Sequence, residues 1–347
     1  MKHVNIPIFI PHLGCPNQCV FCNQRSISGV QSFDPKSVKG IIEAYLDTMS
    51  SDAEVEIAFF GGSFTGIDRN LMIGLLEIAN SYILCGTVSH IRCSTRPDYI
   101  DEDILDILEQ YGVKVIELGL QSSSDKVLAL SKRGHDLAAE KKACDMIIKR
   151  GFALVGQMMI GLPGSSLDDE IETANFIVNS GAKYARIYPT VVFKETELCN
   201  QAMDGVYTPL SLEEAVARSA RVLQIFLDNN IEVIRIGLCS SENLSSDDTY
   251  FAGPNHVAIG ELVKNKIYLE KIIEKTKNVK LKKEDVLKIY VAKGCLSKAI
   301  GQKKNNKFLL MKTLKIENIV FLEADNLSEY EVSVVVEGKN KNVLKIT

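Results

Sequence analysis

The chain has 347 residues, 46% of them hydrophobic, with a formal net charge of −4 and a mean hydropathy near zero. This is the composition of a globular protein with a substantial core, in one large domain or in a large domain plus a small one. It excludes a membrane-spanning helix, because no apolar run is long enough to cross a bilayer.

The first element predicted is a strand over 5–10, in "MKHVNIPIFIPHLG". Pro7 and Pro11 interrupt this stretch and no small-residue cleavage site follows, so it reads as a strand rather than a signal peptide. A cytoplasmic location is the expectation. There, nine cysteines argue against a disulfide framework and for metal binding or buried thiols.

Strand candidates then recur at 55–60, 90–95, 113–120, 152–161 and 184–192, with a further strand at 232–238. Helix candidates lie between them at 35–49, 68–84, 101–111, 124–131 with 137–150, 167–180 and 211–229. Asp34-Pro35 is a cap followed by proline at the first helical position, and "SLDDE" and "SLEEA" place an N-cap serine before acids. The strands are continuously apolar, as in parallel sheets buried on both faces. Six strand–helix units predict an α/β fold, a partial (β/α)6 TIM-like barrel, with an open doubly wound sheet as the alternative.

From about 265 the rhythm changes. Two helices (265–277 and 283–293), a lysine loop and two β-rich segments, "IVFLEA" and "EVSVVVE", predict a small α+β C-terminal extension. The expected domains are 1–263 and 264–347. Residues 1–263 hold 21 basic against 34 acidic residues, whereas residues 264–316 hold 16 lysines against 4 acids. A lysine-dense appendage on an acidic body suits a polyanion such as RNA, and equally a solvated helix face.

The most specific feature is "GCPNQCVFCNQ", in which Cys15, Cys19 and Cys22 are spaced C-x3-C-x2-C directly after the first strand. Thiolates bind soft metals, and one loop supplies all three. A structural zinc site needs a fourth ligand, for which His12 and Cys93 are candidates. An iron–sulfur cluster on three cysteines leaves one iron without a protein ligand. Other unusual residues also fall at strand carboxyl ends, where α/β folds build sites: Gly61-Gly62-Ser63, Thr95-Arg96, Gln121-Ser122, Gly161 to Gly164 and Pro189-Thr190.

With Phe21 before the third cysteine, this motif resembles the signature of the radical S-adenosylmethionine enzymes. "FFGGSFTGI", "IELGLQSSSDKVLALSKRGHD" and "MMIGLPG" are similar to motifs of the branch holding oxygen-independent coproporphyrinogen oxidase and the catalytic subunit of Elongator. "RIYPTVVFKETEL" and the ordering of the "GPNHVAIGELV" segment are similar to the Elongator radical domain in particular, and the resemblance covers about 4–263.

The resemblance implies a [4Fe–4S] cluster on Cys15, Cys19 and Cys22. It also implies S-adenosylmethionine on the open iron, cleaved reductively to a 5′-deoxyadenosyl radical, and an external electron donor such as flavodoxin or ferredoxin. Carried over by position, Gly61, Gly62 and Ser63 would bind the methionyl ammonium, although a tight turn explains the glycines too. Glu117 would meet polar atoms of S-adenosylmethionine, or else form a salt bridge to Arg92 or Arg96. Gly161 and Leu162 would lie along the adenine, Gln157 would face the adenosine or else be a satisfied core polar group, Phe21 would pack near the adenine or else in the core, and Tyr188 would touch substrate or radical. His135 reads as a helix-start residue, and Cys85, Cys144, Cys199, Cys239 and Cys295 as isolated buried thiols.

The chain departs from the Elongator subunit in two ways. The 80-odd residues after the resembling region are too short for an acetyltransferase domain and carry no glycine-rich pyrophosphate loop, so none is expected in them, and the first cysteine gap is three residues rather than four. The substrate is therefore open between RNA docked by 264–316 and a small molecule under a C-terminal lid. A non-enzymatic zinc protein is the third reading. The oligomeric state is not legible.

Overall fold

The structure is a computed structural model describing residues 3–11, 13–15, 19–23, 32–50, 53–238 and 249–338, with the backbone of 343–346. The chain divides into two compact units, Met1–Ala215 with Arg221–Val257, and Val216–Ala220 with Ala258–Thr347. Among the described residues no helix is long and apolar enough to cross a membrane.

The first unit runs β1 (His3–Ile10), α1 (Val38–Leu46), β2 (Glu54–Gly61), α2 (Arg69–Leu84), β3 (His90–Thr95), α3 (Glu102–Gln110) and β4 (Val113–Gln121). It continues with α4 (Asp125–Leu130), α5 (Leu137–Lys149), β5 (Ala153–Ile160), α6 (Leu167–Asn179) and β6 (Tyr184–Pro189). A short strand β7 (Val192–Phe193), α7 (Glu197–Met203), α8 (Leu212–Asp228), β8 (Glu232–Ile236) and β9 (Tyr250–Ala252) follow. The caps explain where helices start. Asp68, Asp101 and Asp136 each accept an N–H three residues on, and Ser166 and Ser211 form capping boxes with Asp169 and Glu214.

Seven strands pair in the order β1-β2-β3-β4-β5-β6-β8, every pair parallel, and the sheet curls into a half-barrel. The strand read at 232–238 is thus a seventh member beyond the six predicted units. Alternation gives each strand two faces. One face is apolar: Ile6, Ile8 and Ile10 of β1, Ile116 and Leu118 of β4, and Leu154 of β5 are fully buried or nearly so. The other is unusually polar, and register aligns Glu56 with His90, Glu117 with Val155, and Arg186 with Arg235.

The second unit holds α9 (Ile259–Thr276), β10 (Val286–Ala292), α10 (Leu296–Ile300), α11 (Asn305–Leu314), β11 (Asn318–Ala324), β12 (Val332–Glu337) and β13 (Val343–Ile346). Its sheet runs β11-β10-β12-β13, with β10 parallel to β11 and antiparallel to β12. Tyr268, Ile272, Leu287, Ile289, Val291, Leu310 and Val334 form its core.

Two sequence expectations fail in this unit. The segment 283–293 is the strand β10, not a helix. Leu287, Ile289 and Val291 alternate with half-exposed Lys288 and Tyr290, a period of two that outweighs the charged helix-like start. The lysine loop is not a loop, because α10 and α11 form inside it. A third correction concerns Cys85, expected buried. It is exposed at the C-cap of α2, whereas Cys144, Cys199 and Cys295 are buried and Cys239 lies outside the described residues.

Candidate active site

The cysteine loop leaves β1 and crosses directly over the turn that follows β2. The Gly62 N–H donates to Ile10 C=O (2.8 Å) and the Ser63 N–H to Leu13 C=O (3.2 Å). The backbones lie so close that side chains do not fit between them. A Cβ on Gly62 would sit 2.0 Å from the Leu13 oxygen, and one on Gly14, which has φ +72°, would sit 2.2 Å from the Ser63 oxygen. Further along, the Val20 N–H donates to Ser131 C=O and the Leu198 N–H to Val20 C=O. Val20 packs with Val192, Leu198 and Tyr207, and Phe21 packs against the same cluster. The loop is therefore fixed at both ends by neighbouring backbone.

Two guanidinium groups approach the thiols. Arg133 Nη1 donates to Cys19 Sγ at 3.1 Å, and its Nη2 donates to Gly119 C=O. Arg96 bonds Asp98 through Nε and Nη2 (2.9 and 2.8 Å) and donates to the Arg133 carbonyl. Burial pushes the Cys15 thiol up; the Ser63 backbone and both arginines oppose it, while Cys19 adds to it. Burial would also raise Asp98, but bonds from His135 and Arg96 hold its carboxyl well below the usual range. His135 Nε2 lies 3.1 Å from the buried Glu140, whose carboxyl burial pushes up to about 7. His135, read from the sequence as a helix-start residue, stands directly before the N-cap Asp136 of α5 and contacts Asp98, which pairs with Arg96.

On the polar face of the half-barrel, Glu117 is 2% exposed and its Oε2 lies 3.0 Å from Arg186 Nε. The same guanidinium donates to Tyr188 Oη (3.0 Å) and stands 5.2 Å from the Phe60 ring centroid. Burial raises both the Glu117 carboxyl and the Tyr188 phenol. Arg235 on β8 contributes to the field at both groups. Glu117 therefore has a protein partner, but neither of those expected. Arg92 pairs with Glu56 and Arg96 with Asp98.

Gln157 Nε2 donates to Gln121 Oε1 (3.4 Å), and Gln121 adopts φ +72° at the end of β4. Gly161 has both backbone groups engaged, its N–H with Glu170 (2.6 Å) and its C=O with the Tyr207 hydroxyl (2.7 Å); Leu162 is buried. The Ser63 hydroxyl bonds Thr95 (2.8 Å). The structure thus brings Glu117 and Tyr188 together through Arg186, and it places Gly61, Gly62 and Ser63 against the cysteine loop. Sequence reasoning placed Gln121 at a strand carboxyl end but missed Arg133 and Arg186. The alternation Tyr184-Arg186-Tyr188 was a readable signal for the last of these.

Cys15, Cys19 and Cys22 are free thiols of intermediate burial, the form in which thiols can take a soft metal ion or a cluster. Cys93 is no fourth ligand. Strand alternation puts it on the face of β3 opposite Arg92, fully buried, and burial pushes its thiol up to about 12. His12 lies outside the described residues.

The Radical SAM superfamily model matches residues 9–177, and the Radical_SAM C-terminal domain model matches 182–270. The chain is 30% identical over 228 residues to the uncharacterized protein MJ0486 of Methanocaldococcus jannaschii, covering 62% of this chain and 70% of that one. It is 32% identical over 244 residues to a tRNA uridine(34) acetyltransferase of Methanocaldococcus infernus, but this match spans only 46% of that protein and 58% of this chain. The fold is similar to that of an N-terminally truncated archaeal Elp3 from the same organism, with a TM-score of 0.61 and 21% identity over 80% of this chain and 63% of that one.

Proposed function

The chain belongs to the radical SAM superfamily and is a radical SAM enzyme, and from that premise we propose that Cys15, Cys19 and Cys22 hold its [4Fe–4S] cluster and that its substrate is an RNA. When bound, the cluster and S-adenosylmethionine supply a 5′-deoxyadenosyl radical that abstracts hydrogen. The family draws its electron from an external reductant, and a flavodoxin or ferredoxin suits that role.

The chain's own residues do the rest. The glycine crossing at Gly14 and Gly62 fixes the loop that presents the thiols. Arg133 offers a hydrogen bond to Cys19 and, with Arg96, supplies positive charge beside sulfur ligands, which stabilises an anionic cluster. Ser63, Gln121 and Gln157 offer polar atoms to S-adenosylmethionine. Glu117, Arg186 and Tyr188 form a linked polar wall on the inner face of the sheet, suited to orient a polar substrate.

The observation that carries the RNA reading is the exposed stripe of α11. Phe308 is 60% exposed, with exposed Lys304 and Lys312 four residues to either side. Phe308 and Lys312, four apart within α11, share a helix face, and Lys304 is the exposed residue that precedes the helix. That is the arrangement that stacks an unpaired base while holding its phosphates. Of the 16 lysines in 264–316, only Lys264, Lys266, Lys283, Lys288 and Lys298 pair with carboxylates among the described residues. The tRNA-directed relative supports the same substrate class, whereas its acetyl transfer is not carried over.

Fluorescence anisotropy with a short single-stranded RNA tests this. Binding is expected to weaken steeply with salt, and further in Lys304→Glu/Lys312→Glu. Absence of binding at low salt, together with thermal stabilisation by a small metabolite, would instead assign a small-molecule substrate.

A further inference from the structure

We propose that His3, Glu56 and His90 form a binding site for a divalent transition-metal ion, of the zinc type, at the amino ends of β1, β2 and β3. This is the opposite end of the strands from the cysteine loop. The register aligns Glu56 with His90, and Asn5 of β1 with Glu56, so the three side chains share the polar face. One ligand atom from each of the three lies within 4.8 Å of the other two. Glu56 Oε2 is 2.8 Å from His90 Nε2 and 3.6 Å from His3 Nε2. A tetrahedral ion at about 2.1 Å from each ligand spaces them about 3.4 Å apart, so both distances need only small adjustment.

The surrounding bonds set the protonation that a metal requires. The Ser89 hydroxyl donates to Val55 C=O (2.7 Å), so its oxygen can only accept from His90 Nδ1, which lies 3.1 Å away. Nδ1 therefore carries a proton. In neutral His90 the Nε2 lone pair then points at a carboxylate oxygen, and two acceptors at 2.8 Å need a cation to join them. Arg92 Nε holds the other carboxylate oxygen at 2.7 Å. Each inner ligand thus has its own outer partner, serine behind the histidine and arginine behind the carboxylate, as ligating groups commonly do. Asn5 adds a buried Oδ1 with no hydrogen-bond partner.

A proton on His90 could also bridge to Glu56, but it gives His3 no role. At 3.6 Å, His3 is too far for a hydrogen bond and well placed as a co-ligand. Its side chain is 44% exposed, which leaves an entry path and room for water as a fourth ligand, while Glu56 is fully buried. Joining three adjacent strands, the ion would act as a staple independent of the radical chemistry.

Calorimetric titration of Zn2+ into the full chain carrying Cys15→Ala, Cys19→Ala and Cys22→Ala tests the site free of the loop thiolates. The same titration of cluster-reconstituted wild type gives a second arm. One ion per chain is expected in both, with Co2+ giving visible bands but no thiolate charge transfer. His3→Ala and His90→Gln should each weaken binding at least about tenfold. Without metal, His3→Ala should melt with its parent, showing that its fold is kept. No saturable binding, or an unchanged affinity in His3→Ala, would overturn the proposal and leave His90 as an imidazolium paired with Glu56.

Discussion

At the carboxyl ends of the half-barrel strands, backbone meets backbone; at the amino ends of β1 to β3, charge meets charge. Gly14, Gly62 and Gly66 let the cysteine loop lie directly on the turn after β2, and the contacts there are main-chain hydrogen bonds. At the other end Glu56, His90, Arg92 and His3 meet through long side chains. The first arrangement fixes geometry, because a peptide crossing has almost no freedom. The second stores charge, because each group depends on its neighbour to remain buried. Between the two lies Glu117–Arg186–Tyr188, which shares features of both.

Substitutions can break this comparison in order of effect. The largest is expected in the middle. Removing its cation, as in Arg186→Met, leaves the buried Glu117 carboxylate unpaired, at a cost of about 3 kcal/mol in denaturant unfolding. The double variant Glu117→Gln/Arg186→Met should recover most of that loss. Equal stability of single and double variants would show that the pair is not coupled. The sign of the pH dependence follows from burial, which raises the Glu117 carboxyl while Arg186 and Arg92 oppose it. Its contribution is full below the ordinary value of 4.5 and lost as pH rises through the higher folded value. Glu117→Gln should flatten that part of the stability profile.

Next comes the carboxyl end. Gly62→Ala forces a methyl group against the Leu13 carbonyl and should cost about 1–3 kcal/mol, with reduced iron incorporation on reconstitution. Wild-type iron content in this variant would mean that the crossing does not position the thiols. In the second unit, Phe308→Ala should weaken RNA binding by about 1–3 kcal/mol while leaving the melting temperature unchanged, since the ring is exposed. The smallest effect is at the amino end. His3→Ala should change metal-free stability by no more than about 0.5 kcal/mol, because the ring is half exposed.

The first unit was legible because its strands are apolar runs and most of its helices carry side-chain caps. Predicted and observed boundaries there differ by only a few residues, as at 68–84 against Arg69–Leu84. The second unit was less so. In "VLKIYVA" each inward aliphatic alternates with a polar or aromatic residue, and lysine-rich surroundings disguised a strand as a helix. At the site, the cysteine spacing was readable because one loop carries it whole. The partners of Glu117 were not, since Arg186 lies two strands and 69 residues away and only sheet register brings them together. The role of the glycines was half legible. A turn was expected, but the close crossing depends on where Leu13 and Gly14 pass, which is a tertiary fact.

The most direct measurement is anaerobic reconstitution with iron and sulfide, followed by dithionite and S-adenosylmethionine, with 5′-deoxyadenosine read by chromatography. Wild-type protein should turn brown and release 5′-deoxyadenosine, and the Cys15→Ala/Cys19→Ala/Cys22→Ala variant should do neither. Release of 5′-deoxyadenosine by the triple variant would contradict the account.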